Sequence, residues 1–222
     1  MIPVKICGIT NKKDAEAAVN YGASAIGFIF YDKSPRYILP AKACKIAKDL
    51  KGQVSFIGVF VDETLDYVHT TADNVGLNII QLHGNESSEY SHKVQLPVIK
   101  VFRVSPNFDT GILSGYDVHA FLFDSFKKNT LGGTGEAFDW NLIIDLETDK
   151  PIILSGGLGI NNIEDSIEML LPAALDINSS VESKPGVKDE KKMKELFNFL
   201  SYTENTDNPF KVVTMRKSSH EL

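Results

Sequence analysis

Eight short apolar runs, rich in β-branched and aromatic residues and spaced fairly evenly, constrain this chain more than any other feature. They are "VKIC" (residues 4–7), "AIGFIF" (25–30), "SFIGVFV" (55–61), "NIIQL" (78–82), "VIKVFRV" (98–104), "AFLFD" (120–124), "PIILSG" (151–156) and "ALDIN" (174–178). Most lack polar alternation, which is the pattern of a strand covered on both faces. Helical patterns lie between them. Residues 11–22 open on Asn11 and close on Gly22, and residues 40–52 start at Pro40 and stop at Gly52. Segments 62–76, 86–94, 140–147, 161–171 and 189–201 follow the same logic, while 106–116 has the least helical pattern.

Eight strands alternating strictly with helical connections predict an α/β chain closed into a (β/α)8 TIM barrel. An open doubly wound sheet is the competitor, but no G-x-G-x-x-G follows the first strand. No break in composition divides the chain, so a single domain is expected over residues 1–202. Residues 203–222 read as a polar tail, apart from "FKVVTM", that either docks one short strand or stays mobile.

At 222 residues, 43% hydrophobic and 23% charged, the chain can bury a sizeable core. Its net charge of −6 gives no support to a nucleic-acid or membrane partner. Two cysteines, Cys7 and Cys44, are too few for a disulfide framework and lack metal-ligand spacing. The start carries no apolar segment of signal-peptide length, and no run approaches a membrane span, so the expected location is cytoplasmic.

A parallel barrel places its site at the C-terminal ends of its strands. Strand 1 ends at Cys7 and strand 6 at Asp124, strand 4 offers His83, and the loop after strand 2 carries Arg36. Cys7 reads either as a small core hydrophobe or as a proton acceptor. In the second role, a thiol with an ordinary pKa of about 8.5 needs help to ionise near neutrality. Asp124 reads as a loop cap or as a proton donor, and Arg36 as the fork for a planar anion or as a surface salt bridge. His83 is either a ligand contact or a structural histidine, and Cys44 falls on the apolar face of its helix. Gly156 and Gly157 in "SGGLG", with a helix beginning near Asn161 and the hydroxyls of "INSS", make a phosphate cradle or a tight corner. The "GGTG" run at 132–135 suits a lid, and Lys127 and Lys128 read as solvated.

Taken in order, "KICGIT", "GFIFYDKSPRYI", "GVFVDE", "IIQLHGNE", "LGGTGEAFDW", "LSGGLGINN" and "VESKPGVKD" resemble the phosphoribosylanthranilate isomerase family over about residues 3–200. The resemblance implies an Amadori rearrangement in tryptophan biosynthesis, without metal or organic cofactor, on a small phosphorylated substrate. It makes Cys7 the general base and Asp124 the general acid. It gives the anthranilate carboxylate to Arg36, with His83 lining that end, and the phosphate to the loops holding Gly156, Gly157, Ser179 and Ser180, beside the matching Asp176. Ser180 departs from the family, which has a glycine there that allows unusual backbone angles. The family contains monomers and homodimers. A related ring-closing synthase needs strand-end lysines that this chain lacks, and a non-catalytic phosphate-ligand-binding barrel is the alternative of another class.

Overall fold

The computed structural model describes residues 1–125, 138–203 and 208–211. Eight parallel strands close into one barrel: β1 (Val4–Ile6), β2 (Ala25–Ile29), β3 (Ser55–Phe60), β4 (Ile79–Leu82), β5 (Val98–Val104), β6 (Ala120–Ser125), β7 (Ile152–Leu154) and β8 (Ala174–Ile177). Each pairs with the next, and β8 closes on β1 through Val4 opposite Leu175, Lys5 opposite Asp176 and Ile6 opposite Ile177. The expected single-domain TIM barrel is therefore present.

The continuous apolar runs resolve into two buried layers. Side chains of one parity, among them Phe28, Phe60, Leu82, Phe121 and Leu175, point outward into the layer under the helices. Those of the other parity, including Ile57, Ile79, Ile99, Leu122 and Ile153, fill the barrel interior. Period-2 geometry assigns alternate residues to the two layers, so a one-residue slip would exchange them. Each fully buried Phe, Leu or Ile contributes about 1.5–3 kcal/mol.

The outer layer holds α1 (Lys12–Tyr21), α2 (Pro40–Asp49), α3 (Leu65–Val75), α4 (Ser88–Lys93), α5 (Ile163–Leu170) and α6 (Glu190–Leu200). Asn11 caps α1 by accepting from the Asp14 N–H, and Gly22 ends the helix in a left-handed conformation at φ 106°. Two expected helices are corrected. Residues 140–147 make only a 3-10 turn, Trp140–Leu142, capped by Asp139. So short a segment holds an isolated α-helix poorly, and one tight turn already places Ile143 against the core while Ile144 faces out. In 106–116, the glycines Gly111 and Gly115 weaken an α-helix, and Thr110–Gly115 forms a 3-10 helix. A short hairpin follows β8, made of β9 (Glu182–Lys184) and β10 (Val187–Lys188).

Residues 208–211 close the barrel floor, the end remote from the βα loops. Phe210 is fully buried within the interior cluster. Ala25, Ala120 and Ala174, which open three of the strands, leave the space that its ring fills. Ser55 Oγ donates to Phe210 O at 2.6 Å, and His119 Nε2 meets Pro209 O at 2.7 Å. Among the described residues, no helix is long and apolar enough to cross a membrane.

Candidate active site

The strand ends converge on one pocket of about 730 Å³, counted with the solvent space at its mouth, a size suited to a small metabolite. Cys7, Arg36, His83, Asp124, Gly156, Gly157, Asp176 and Ser179 all line it, whereas Ser180 is exposed and does not. Gly8, just past β1, adopts φ 71°, and a Cβ there would stand 2.9 Å from both Arg36 Cδ and Asn178 Oδ1. The glycine after Cys7 is thus required twice, by its backbone angle and by the packing against it.

A chain of polar contacts rises through the barrel to the pocket. Lys5 is completely buried, and its ammonium donates to Gln81 Oε1 at 2.8 Å and to Asp176 Oδ2 at 2.9 Å. An ammonium can only donate, so Gln81 must turn its carbonyl oxygen towards Lys5 and its amide nitrogen towards His83. That nitrogen lies 3.3 Å from His83 Nδ1. Nδ1 is then the acceptor, and in the neutral ring the proton sits on Nε2. His83 Nε2 stands 3.3 Å from Asp124 Oδ2. It is out of line for a hydrogen bond and has no other partner among the described residues. Asp124 is buried, and its Oδ1 accepts from the Ser125 N–H at 2.8 Å.

Burial pushes the Cys7 thiol up from its ordinary value, while the Lys5 cation pulls it back. Burial also raises the Asp176 carboxyl, again opposed by Lys5, and the nearby Asp124 carboxylate adds to the rise. Burial acts to lower Lys5, but Asp176 and Cys7 more than offset it and hold the ammonium above its ordinary value. Asp176 Oδ1 is buried with no hydrogen-bond partner among the described residues. A buried oxygen left bare on a pocket wall costs free energy until a donor fills the place.

Arg36 departs from the expectation of a surface salt bridge. It is buried, and its Nε and Nη2 meet the Glu182 carboxylate at 3.0 and 2.8 Å. Its fork therefore holds a carboxylate of the chain itself, in a buried ion pair and not a surface one. Lys188 Nζ joins at 3.1 Å from Glu182 Oε1 and also donates to Asn178 Oδ1 at 2.9 Å. Burial would raise the Glu182 carboxyl, but Arg36 and Lys188 outweigh it and hold the group below its ordinary value. Burial keeps Lys188 below its own. Glu182 and Lys188 escaped attention as site residues. Their only signal was their place in "VESKPGVKD", and pairing over 146 residues of chain is invisible to local pattern.

At the far wall, Gly156 has φ 86° and Gly157 φ 66°. A Cβ on Gly156 would collide with Ser125 and lie 2.9 Å from Asp124 Oδ1. Ser179–Val181 forms a 3-10 turn after β8, so Ser180 has no left-handed backbone to maintain. The glycine-like angle expected at this position is not used here. The "GGTG" segment, Lys127 and Lys128 lie outside the described residues.

Residues 4–199 match the family model for N-(5′-phosphoribosyl)anthranilate isomerase. The chain belongs to that family. Among curated relatives, the N-(5′-phosphoribosyl)anthranilate isomerase of Geobacter sp. strain M21 is 44% identical over 194 residues, covering 87% of this chain and 95% of the relative. That of Geotalea uraniireducens is also 44% identical, over 88% and 96%. The crystal structure of the phosphoribosylanthranilate isomerase from Thermus thermophilus superposes with a TM-score of 0.83 at 36% identity, over 90% of this chain and 98% of that one. A phosphoribosylanthranilate isomerase solved with reduced 1-(o-carboxyphenylamino)-1-deoxyribulose 5-phosphate superposes with a TM-score of 0.77 at 36% identity, over 90% and 99%. Membership of the isomerase family makes this chain an enzyme of tryptophan biosynthesis.

Proposed function

We propose that the chain converts N-(5′-phosphoribosyl)anthranilate to 1-(2-carboxyphenylamino)-1-deoxyribulose 5-phosphate, with Cys7 as general base and Asp124 as general acid. The observation that carries this reading is that Cys7 and Asp124, distant in sequence, are buried in the walls of one pocket beside a glycine-lined corner. That a related isomerase is solved with a reduced form of this product supports the substrate.

In this mechanism Asp124 gives its proton to the ribose ring oxygen as the C1′–O bond breaks, leaving a protonated Schiff base at C1′. The cationic nitrogen acidifies the C2′ proton, so the Cys7 thiolate suffices to remove it. The resulting enolamine tautomerises to the ketone, and no redox partner is consumed. His83, whose Nε2 stands 3.3 Å from Asp124 Oδ2, steadies by proximity the carboxylate left after proton transfer. Asp176 Oδ1 accepts from a sugar hydroxyl, which satisfies the oxygen that is bare in the free protein.

Arg36 uses one edge of its guanidinium on Glu182, and Nη1 makes no hydrogen bond among the described residues. Nη1 is the donor available to the anthranilate carboxylate. The phosphate lies against the N–H groups of Gly156, Gly157 and the turn at Ser179. Ser180 is not among the residues that line the pocket, so the phosphate contact on this turn falls to Ser179. The purified protein should remove the fluorescence of phosphoribosylanthranilate without added metal. Binding of the reduced product analogue without turnover would instead favour a non-catalytic barrel.

A further inference from the structure

The proposed mechanism leaves Lys5 without a task. It is a complete charge at the barrel centre, fully buried, and its two hydrogen bonds to Gln81 and Asp176 leave one ammonium proton unassigned. Burying an ammonium is costly, and an apolar interior of similar shape would be at least as stable. The neighbouring strand shows what lies beside the lysine stem. Gly27 on β2 has no side chain, and a Cβ there would stand 2.9 Å from both Lys5 Cε and Cys7 Sγ. The lysine stem and the sulfur therefore converge on the one gap that this glycine opens.

We propose that Lys5 is the positioning residue for the reaction: clamped by Asp176 and Gln81, its ammonium stands beside Cys7 and stabilises the thiolate as it forms. This deepens the base assignment made for Cys7 and rests on it. Lys5 keeps its proton throughout. The proton lost from the resting thiol goes to solvent, and the thiolate electron pair takes the C2′ proton of the substrate. Through Gln81 the same ammonium also sets the tautomer of His83 and hence places the proton on the ring nitrogen nearest Asp124. One buried cation thus serves both ends of the proton transfer.

Among the described residues, the charged groups near the sulfur include Arg36, which lines the same pocket. Lys5 is on its own strand, Asp176 on β8 and Lys188 on β10, while β2 presents only Gly27. Asp124 and His83 share the pocket. Lys5 and Asp176 act on the thiol in opposite directions, with Lys5 the stronger. The two residues therefore predict effects of opposite sign, which a merely structural ion pair would not produce.

The test uses the full chain carrying Cys44→Ala, so that Cys7 is the only thiol. Thiolate absorbance is followed against pH, alongside kcat and KM. Lys5→Met should raise the thiol pKa by about one unit or more, a tenfold loss of thiolate at fixed pH. The acid limb of kcat/KM should move up by the same amount, with KM little changed. Asp176→Asn should lower the thiol pKa. If Lys5→Met fails to fold because Asp176 is left unpaired, Lys5→Met/Asp176→Asn decides, with a smaller rise expected. An unchanged thiol pKa in the folded Lys5 variants, or shifts of one sign in both single variants, overturns the proposal. Activity surviving in Cys7→Ala would instead overturn the base assignment, a result that the thiol titration does not depend on.

Discussion

Arg36 and Glu182 meet edge to edge in the wall of the pocket, with Nη2 2.8 Å from Oε2 and Nε 3.0 Å from Oε1, both side chains buried. Lys188 closes the pair into a triad. Glu182 thereby sets the position of Arg36, the arginine proposed to meet the substrate carboxylate.

Removing Glu182 should strand two buried cations. Glu182→Gln is expected to cost about 3–5 kcal/mol of stability and to raise KM more than it lowers kcat, because the loss falls on Arg36 placement. The pH dependence follows from the lowered carboxyl. Its stabilising contribution is complete above the ordinary glutamate value of 4.5 and is lost as pH falls through the lower folded value. Denaturant titrations of wild type and variant should therefore converge below that window and separate above it.

The floor plug can be tested far from the chemistry. Phe210→Ala empties the space left by Ala25, Ala120 and Ala174 and should destabilise the fold by about 3–5 kcal/mol. The pocket lies at the opposite end, so kcat and KM at moderate temperature should match wild type. Thermal unfolding together with steady-state kinetics checks both halves of this prediction.

Gly156→Ala should damage the far wall in two ways. The added Cβ runs into Ser125 and Asp124, and the backbone at φ 86° is strained for alanine. A loss of kcat/KM of at least about tenfold is expected, equivalent to about 1.4 kcal/mol in the transition state. Gly52→Ala is the control for strain alone, because its φ is 81° yet nothing stands within 4 Å of its Cβ position. It should lower stability modestly and leave kinetics untouched.

The barrel was legible because strands buried on both faces carry unbroken apolar runs, and eight such runs alternate with capped helical segments. The segment 140–147 misled because Leu142, Ile143 and Leu146 share a helical spacing that a single tight turn also satisfies. The pocket residues at strand ends followed from the barrel rule, but their roles came only through the family resemblance. What remained hidden was whatever depends on long-range pairing. Arg36 finds Glu182 across most of the chain, and the contact of Lys5 with Asp176 exists only because β8 closes on β1 in that register. Phe210 gave no local signal at all, since the space it fills is made by three alanines on three different strands.

The central claim is that Cys7 and Asp124 divide base and acid between them. The most direct measurement is the turnover of phosphoribosylanthranilate, followed by its fluorescence, in Cys7→Ala and Asp124→Asn alongside wild type, with circular dichroism confirming the fold of each. Each variant should lose at least about a hundredfold in kcat, the low end of what a positioned acid or base supplies, while still binding the reduced product analogue. Turnover within a few-fold of wild type in either folded variant would contradict the role given to that residue.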